Sequence, residues 1–289
     1  MTFYKKNVEF CNFFYYCECM NFIEFNDVSF TYPADEGEVL SPVYDHFTGN
    51  IPGGFTSVIG PNGCGKSTFM LLASGRIQPA NGKIYLLGQE INKLSEEKKN
   101  LLASVIYQNM EFESEDKVEQ LLSFVYQNGA LKANAKGIKG SDLFAEVVDT
   151  FELSSVMKHG LTQISKGENQ RVLLAFSLLY GSASVFMDEP LFAMEDMQKK
   201  TALEYLRAYS METKTPMFIS MHELDLTRMF AEKVLLIHPD RNMSYGTVEE
   251  VMTNDELEKA YGIPASMLKH NETLTREELA EQVKLFGNK

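Results

Sequence analysis

Residues 55–75, FTSVIGPNGCGKSTFMLLASG, decide the fold. Five residues, four of them β-branched or aromatic, run into Gly60-Pro61-Asn62-Gly63-Cys64-Gly65-Lys66-Ser67-Thr68, and an apolar run at helical spacing follows. The loop is a full match to G-x-x-x-x-G-K-[ST]. Its glycines let backbone N–H groups turn toward phosphate oxygens, the next helix offers its positive end, Lys66 reaches the outer phosphates and Ser67 offers a hydroxyl to Mg²⁺. Such a match arises by chance in roughly one random chain in a hundred, and the strand before and helix after it lower those odds further.

Outward from this loop the pattern is α/β. Strand-like runs at 22–30 and 54–59 precede it; a helical stretch to Ile77, a turn at PANGK (79–83) and a short strand at 84–88 follow. Residues 109–165 change to helical spacing, as in VEQLLSFVY and DLFAEVVDTFEL, and apolar strands then return at SVFMD, PMFISM and KVLLIH. This predicts an α/β core carrying a helical insertion.

Composition bounds the function. The chain has 289 residues, 44% hydrophobic and 23% charged, which suits one large core or a core with a subdomain. A net charge of −13 argues against a nucleic-acid partner, since a phosphate-backbone binder presents a basic face. No apolar run reaches the roughly 20 residues a membrane span requires. Cys11, Cys17 and Cys19 crowd the first 19 residues, where no His or fourth Cys stands at a zinc-type spacing. Residues 1–19 therefore read as an extension or a misplaced start, disordered if present, with the domain opening at Met20. Cys64 is a single leftover thiol, which fits a reducing cytoplasm.

Two further stretches carry chemistry. In SVFMDEP a buried strand ends in Asp188 and Glu189; beside a phosphate loop, Asp188 is placed to hold a Mg²⁺ water shell and Glu189 to polarise an attacking water. In ISKGENQR (164–171), Ser165 and Glu168 have the spacing of a capping box, which marks a helix start.

Together these motifs resemble the ATP-binding cassette (ABC) ATPases over residues 20–265. The resemblance implies a P-loop NTPase core of RecA type with an antiparallel β subdomain and an inserted α-helical subdomain at about 109–165, followed by a C-terminal helical tail at 266–289. ISKGE is similar to the family's signature, so Ser165, Gly167 and Glu168 are expected to face the γ-phosphate of ATP held by a second copy in a head-to-tail dimer. Tyr32 stands where an aromatic ring stacks on adenine, Gln108 where a glutamine senses Mg²⁺ and the attacking water, and His222 where a histidine contacts the γ-phosphate. Residues 60–68 would bind ATP; Ser67, Gln108 and Asp188 would serve Mg²⁺; Glu189, His222 and Gln108 would carry catalysis.

Three positions depart from the family pattern: Lys166 in place of the signature's first glycine, Phe176 in place of an arginine, and Glu195 in the segment after Glu189. None removes a group needed for hydrolysis.

The resemblance also implies partners. A single cassette without a span is similar to the ATPase subunit of a transporter: cytoplasmic, held on the inner face of the membrane by integral permease subunits, and served by a substrate-binding protein. The run YGTVEEVMTNDELEKAYGIP (245–264) resembles the end of importer ATPases for iron chelates, haem, cobalamin and zinc. The alternatives are a soluble cassette ATPase in cofactor assembly or regulation, and the ATPase of an exporter. Thr275 and Glu278 repeat the capping-box spacing and predict a short helix in the tail.

Overall fold

A computed structural model describes residues 22–33, 41–108, 110, 114, 116–131 and 140–268. The N-terminal extension, Met20 and the predicted tail helix beyond residue 268 lie outside the described residues. The element order is β1 (Ile23–Phe30), β2 (Tyr44–Ile51), β3 (Phe55–Ile59), α1 (Lys66–Ala73), β4 (Asn81–Leu86), β5 (Gln89–Glu90), α2 (Glu96–Leu102) and β6 (Ala103–Ile106). Then follow α3 (Val118–Asn128), α4 (Gly140–Thr150), α5 (Lys166–Tyr180), β7 (Ser184–Met187), α6 (Asp196–Thr213), β8 (Met217–Ser220), α7 (Leu224–Phe230), β9 (Lys233–Ile237), β10 (Met243–Gly246), α8 (Val248–Val251) and α9 (Asn254–Tyr261).

Two sheets result. One is antiparallel in the order β2-β1-β4-β5; the other has six strands in the order β10-β9-β3-β8-β7-β6, parallel except for β10. Strands β3, β7 and β8 are buried along their whole length, which is why they read as continuous apolar runs rather than alternating ones. The antiparallel strand β1 alternates instead, and its alternation breaks at Asp27, whose φ of 55° sits at a register shift against β2 and β4.

Two local expectations need correction. PANGK is not turn throughout: Asn81–Lys83 already belong to β4, because Gly82 (φ 89°) brings the chain against the backbone of Asp27 across the bulge. The actual turn is Leu87-Gly88, both at positive φ, closing a two-residue hairpin from Leu86 to Gln89. The helix after the phosphate loop ends at Ala73 rather than Ile77, stopped by Ser74 and Gly75 (φ 71°).

An aromatic column joins the layers. Phe25 of β1 stacks on Phe69 of α1 (5.5 Å between centroids), Phe69 meets Phe218 of β8 edge-on (6.5 Å), and Phe218 stacks on Phe186 of β7 (5.1 Å). Each such pair adds about 0.5–1.5 kcal/mol to its area burial, so α1 and the loop before it are clamped between the two sheets. On the other side, α3, α4, α5 and α6 share a second core built on Val125, Val147, Leu173, Val185 and Leu206.

Candidate functional site

The parallel sheet carries the ends of β3, β6, β7 and β8 to one edge, the edge at which open α/β sheets bind ligands. From β3 the chain enters the phosphate loop. Gly60 there has φ 145°, and a Cβ would lie 2.3 Å from the carbonyl oxygen of Ile237, so no larger residue fits. Its N–H donates to the phenol of Tyr261 at the end of α9, 3.2 Å away. Tyr44, buried behind the loop, donates its hydroxyl to Gly65 O (3.1 Å), and burial pushes its phenol well above the usual range.

The loop and α1 fit a triphosphate. Lys66 is buried, with Nζ on the carbonyls of Gly60 (2.8 Å) and Pro61 (3.2 Å), and among the described residues no carboxylate lies within 4.0 Å of it. A buried ammonium with only neutral partners calls for an anion. Helix α1 also has no side-chain cap and no acidic residue in its first turn, so its positive end is unneutralised. Ser67 is exposed on that first turn. Tyr32 lies over it, 40% exposed, its hydroxyl 3.1 Å from Thr68 Oγ1 and its ring edge-on to Phe30. The Cys64 thiol is buried under the loop, and burial raises its pKa despite the nearby Lys66.

Two strands along the sheet, at the end of β7, is the carboxylate pair. Asp188 is buried and anchored by its N–H to Ile106 O (2.8 Å). Glu189 adopts φ 49°, a left-handed conformation costly for a non-glycine residue. That turn brings its carboxylate between two of the predicted site residues: Gln108 Nε2 donates to Oε2 at 2.9 Å, and His222 Nε2 meets Oε1. The His222 loop is held in turn by an ion pair between Lys199 of α6 and Glu223.

Gln108, Asp188, Glu189 and His222 thus form one cluster beside the phosphate loop. Ser165, Gly167 and Glu168 do not join it: among the described residues no hydrogen bond or ion pair links them to residues 60–68. They build the start of α5 as a reciprocal capping box, Glu168 N–H to Ser165 Oγ (3.3 Å) and Ser165 N–H to Glu168 Oε2 (2.7 Å). The Ser165 N–H, first of all, holds the Glu168 carboxyl below its usual range. Lys166 is exposed, Phe176 stacks on Tyr180 with centroids 6.3 Å apart, and Glu195 is the N-cap residue of α6.

Several contributors escape sequence reasoning. A Cβ on Gly167 would lie 2.6 Å from the carbonyl oxygen of Ala193, so the start of α5 packs directly on the backbone that follows Glu189. Buried Arg171 donates to the carbonyls of Phe151 and Glu152 and to the Glu152 carboxylate (3.0 Å), tying α5 to the turn after α4. Ser220 bridges the two carboxylate residues. The one available signal for it was a lone polar residue in the apolar run PMFISM.

A phosphate-cradling loop beside an Asp-Glu pair at the carboxyl edge of a parallel sheet defines a P-loop NTPase. The family described as "ABC transporter" matches residues 49–192, and the chain belongs to it as an ABC-type ATPase. It is 28% identical to the hemin import ATP-binding protein HmuV of Rhizobium meliloti over 73% of this chain and 82% of that one. It is 26% identical to the petrobactin import ATP-binding protein FatE of Bacillus anthracis, covering 69% of this chain and 79% of the relative. A bacterial ABC transporter cassette solved as a dimer superposes with a TM-score of 0.64 at 20% identity, over 78% of this chain and 98% of the cassette.

Proposed function

We propose that this chain is the ATP-hydrolysing subunit of an importer for a metal chelate, working on a separate membrane permease. Among the described residues no helix is long and apolar enough to cross a membrane, which fits a subunit held at the cytoplasmic face by the permease. The hemin and petrobactin import relatives, together with the 245–264 segment, support the substrate class.

The reading rests most on one observation: the Glu189 carboxylate is held by Gln108 and His222 at the edge where β3 delivers Lys66. In this reading residues 60–68 bind the phosphates of ATP, with Tyr32 against the base. Ser67, Asp188 and Gln108 hold Mg²⁺, which when bound would neutralise charge developing on the phosphates. Glu189 accepts a proton from the attacking water, and His222 both orients that carboxylate and faces the γ-phosphate. Ser165, Gly167 and Glu168 have no part in their own chain's loop, and this supports their meeting the ATP of a second copy head to tail. Lys166 brings an ammonium to that face.

Glu189→Gln keeps the shape and removes the base. The expected loss in turnover is about 10²- to 10⁴-fold with ATP binding retained, together with an ATP-dependent dimer on size-exclusion chromatography. Hydrolysis at the wild-type rate overturns the assignment. For transport, affinity-tagged chain should recover an integral membrane permease from detergent extracts; recovery of soluble partners alone would favour a non-transport ATPase.

A further inference from the structure

We infer that Ser220 is a positioning residue for hydrolysis: its hydroxyl couples the two carboxylate residues and sets the direction of both. Strands β7 and β8 run in parallel register, Met187 opposite Ile219, so the next step of the ladder places Ser220 beside Asp188. Ser220 is completely buried. Its Oγ lies 2.9 Å from the Glu189 backbone nitrogen and 2.5 Å from Asp188 Oδ1.

The proton's place follows from the partners. An N–H only donates, so the hydroxyl accepts from Glu189; its single proton is then directed at the carboxylate, at a distance typical of a charge-assisted O–H···O⁻ bond. One side chain thus orients Asp188 Oδ1 and also pins the Glu189 backbone in its left-handed conformation. A strained φ persists only where its surroundings over-determine it. Glu189 is held at its N–H by Ser220 and at its two carboxylate oxygens by His222 and Gln108. His222 stands two residues beyond Ser220 on the same strand end, so the strand supplies both a backbone anchor and a side-chain anchor. Other buried serines of this sheet differ: Ser184 Oγ, for example, simply donates to Leu102 O.

The inference rests on the reading of Asp188 and Glu189 as the metal and base residues, and the test separates the two. Removing a hydrogen bond to a charged group that matters in the transition state lowers turnover by about 10- to 100-fold. For Ser220→Ala in the full chain we expect that loss in kcat, an ATP KM within about twofold of wild type, and a several-fold rise in the Mg²⁺ needed for half-maximal rate. Ser220→Thr restores the hydroxyl and should recover most of the rate and the Mg²⁺ response. If Ser220→Ala does not fold, Ser220→Cys, similar in size but a weak donor, is measured against the same expectations.

Wild-type kcat and Mg²⁺ dependence in the alanine or cysteine variant overturns the inference. Equal impairment of the alanine and threonine variants does so too, because space rather than the hydroxyl would then be the cause. Glu189→Gln measured alongside locates any failure: if it is inactive while Ser220→Ala is normal, only the role of Ser220 falls. If Glu189→Gln turns over normally, the catalytic reading itself is wrong.

Discussion

Gly167→Ala probes how the start of α5 is seated. By propensity alone the change should help, since alanine is favoured over glycine inside a helix by about 1 kcal/mol. The new Cβ, however, would lie 2.6 Å from the Ala193 carbonyl oxygen, a backbone atom that cannot rotate aside. Reaching even a close C–H···O contact of ~3.3 Å requires roughly 0.7 Å of separation between α5 and the segment after Glu189. Overpacking of this kind costs about 1–3 kcal/mol, so the net loss of stability is about 0–2 kcal/mol once propensity is counted. The effect on chemistry is larger, because a misplacement of about 1 Å costs up to about 10²-fold in rate. Chemical denaturation should therefore show a small change while phosphate release falls about 10- to 100-fold. Turnover within about twofold of wild type, with stability unchanged or raised, would refute the tight seating of α5 on Ala193.

Ser165→Ala and Thr253→Ala remove equivalent side-chain caps, from α5 and α9. Each should cost about 0.5–2 kcal/mol in denaturation, but only Ser165→Ala should also depress ATPase activity; equal effects on activity would mean that Ser165 is a cap and nothing more. The Cys64 thiol, raised by burial, is mostly protonated even where an ordinary thiol begins to ionise, so less thiolate is present at pH 8 than in the unfolded chain. Iodoacetamide at pH 8 should leave the Cys64 peptide unmodified in the native protein and label it in urea, as read by mass spectrometry; equal labelling rates would contradict the burial.

The parts of the site legible in the sequence were those whose chemistry is local. The phosphate loop needs glycines, a lysine and a hydroxyl in one stretch, and the capping box of α5 needs Ser165 and Glu168 three residues apart. The convergence of Gln108, Glu189 and His222 was reached only through family resemblance, because 81 residues separate the first two and the ladder of parallel strands brings them together. Strand β2 was not legible because it exposes half of its residues and lacks a clean apolar alternation. Strand β6 is four residues long and follows α2 with no turn residue between them. Ser220, the Gly167–Ala193 contact and the Gly60–Tyr261 bond were hidden for one common reason: each depends on tertiary placement, and nothing in the flanking residues advertises it.

Those hidden contacts bear on how the two halves of the site communicate. Glu189 ends β7, and within a few residues the same backbone passes Ala193 against Gly167, then caps α6 at Glu195. Helix α6 carries Lys199, whose ion pair with Glu223 returns to the loop of His222, which itself holds Glu189. The path is closed: Glu189, Ala193 beside the α5 start, α6, Glu223, His222 and Glu189 again. A displacement of the α5 N-terminus by a phosphate outside the chain would therefore press on the backbone of the carboxylate proposed to act on the chain's own ATP. The link needs no mobile lid, because its contacts are backbone packing, the Lys199–Glu223 ion pair and the His222–Glu189 hydrogen bond. Gly167 is then constrained by its packing against Ala193, while the neighbouring position 166, exposed and outside that contact, accommodates a lysine.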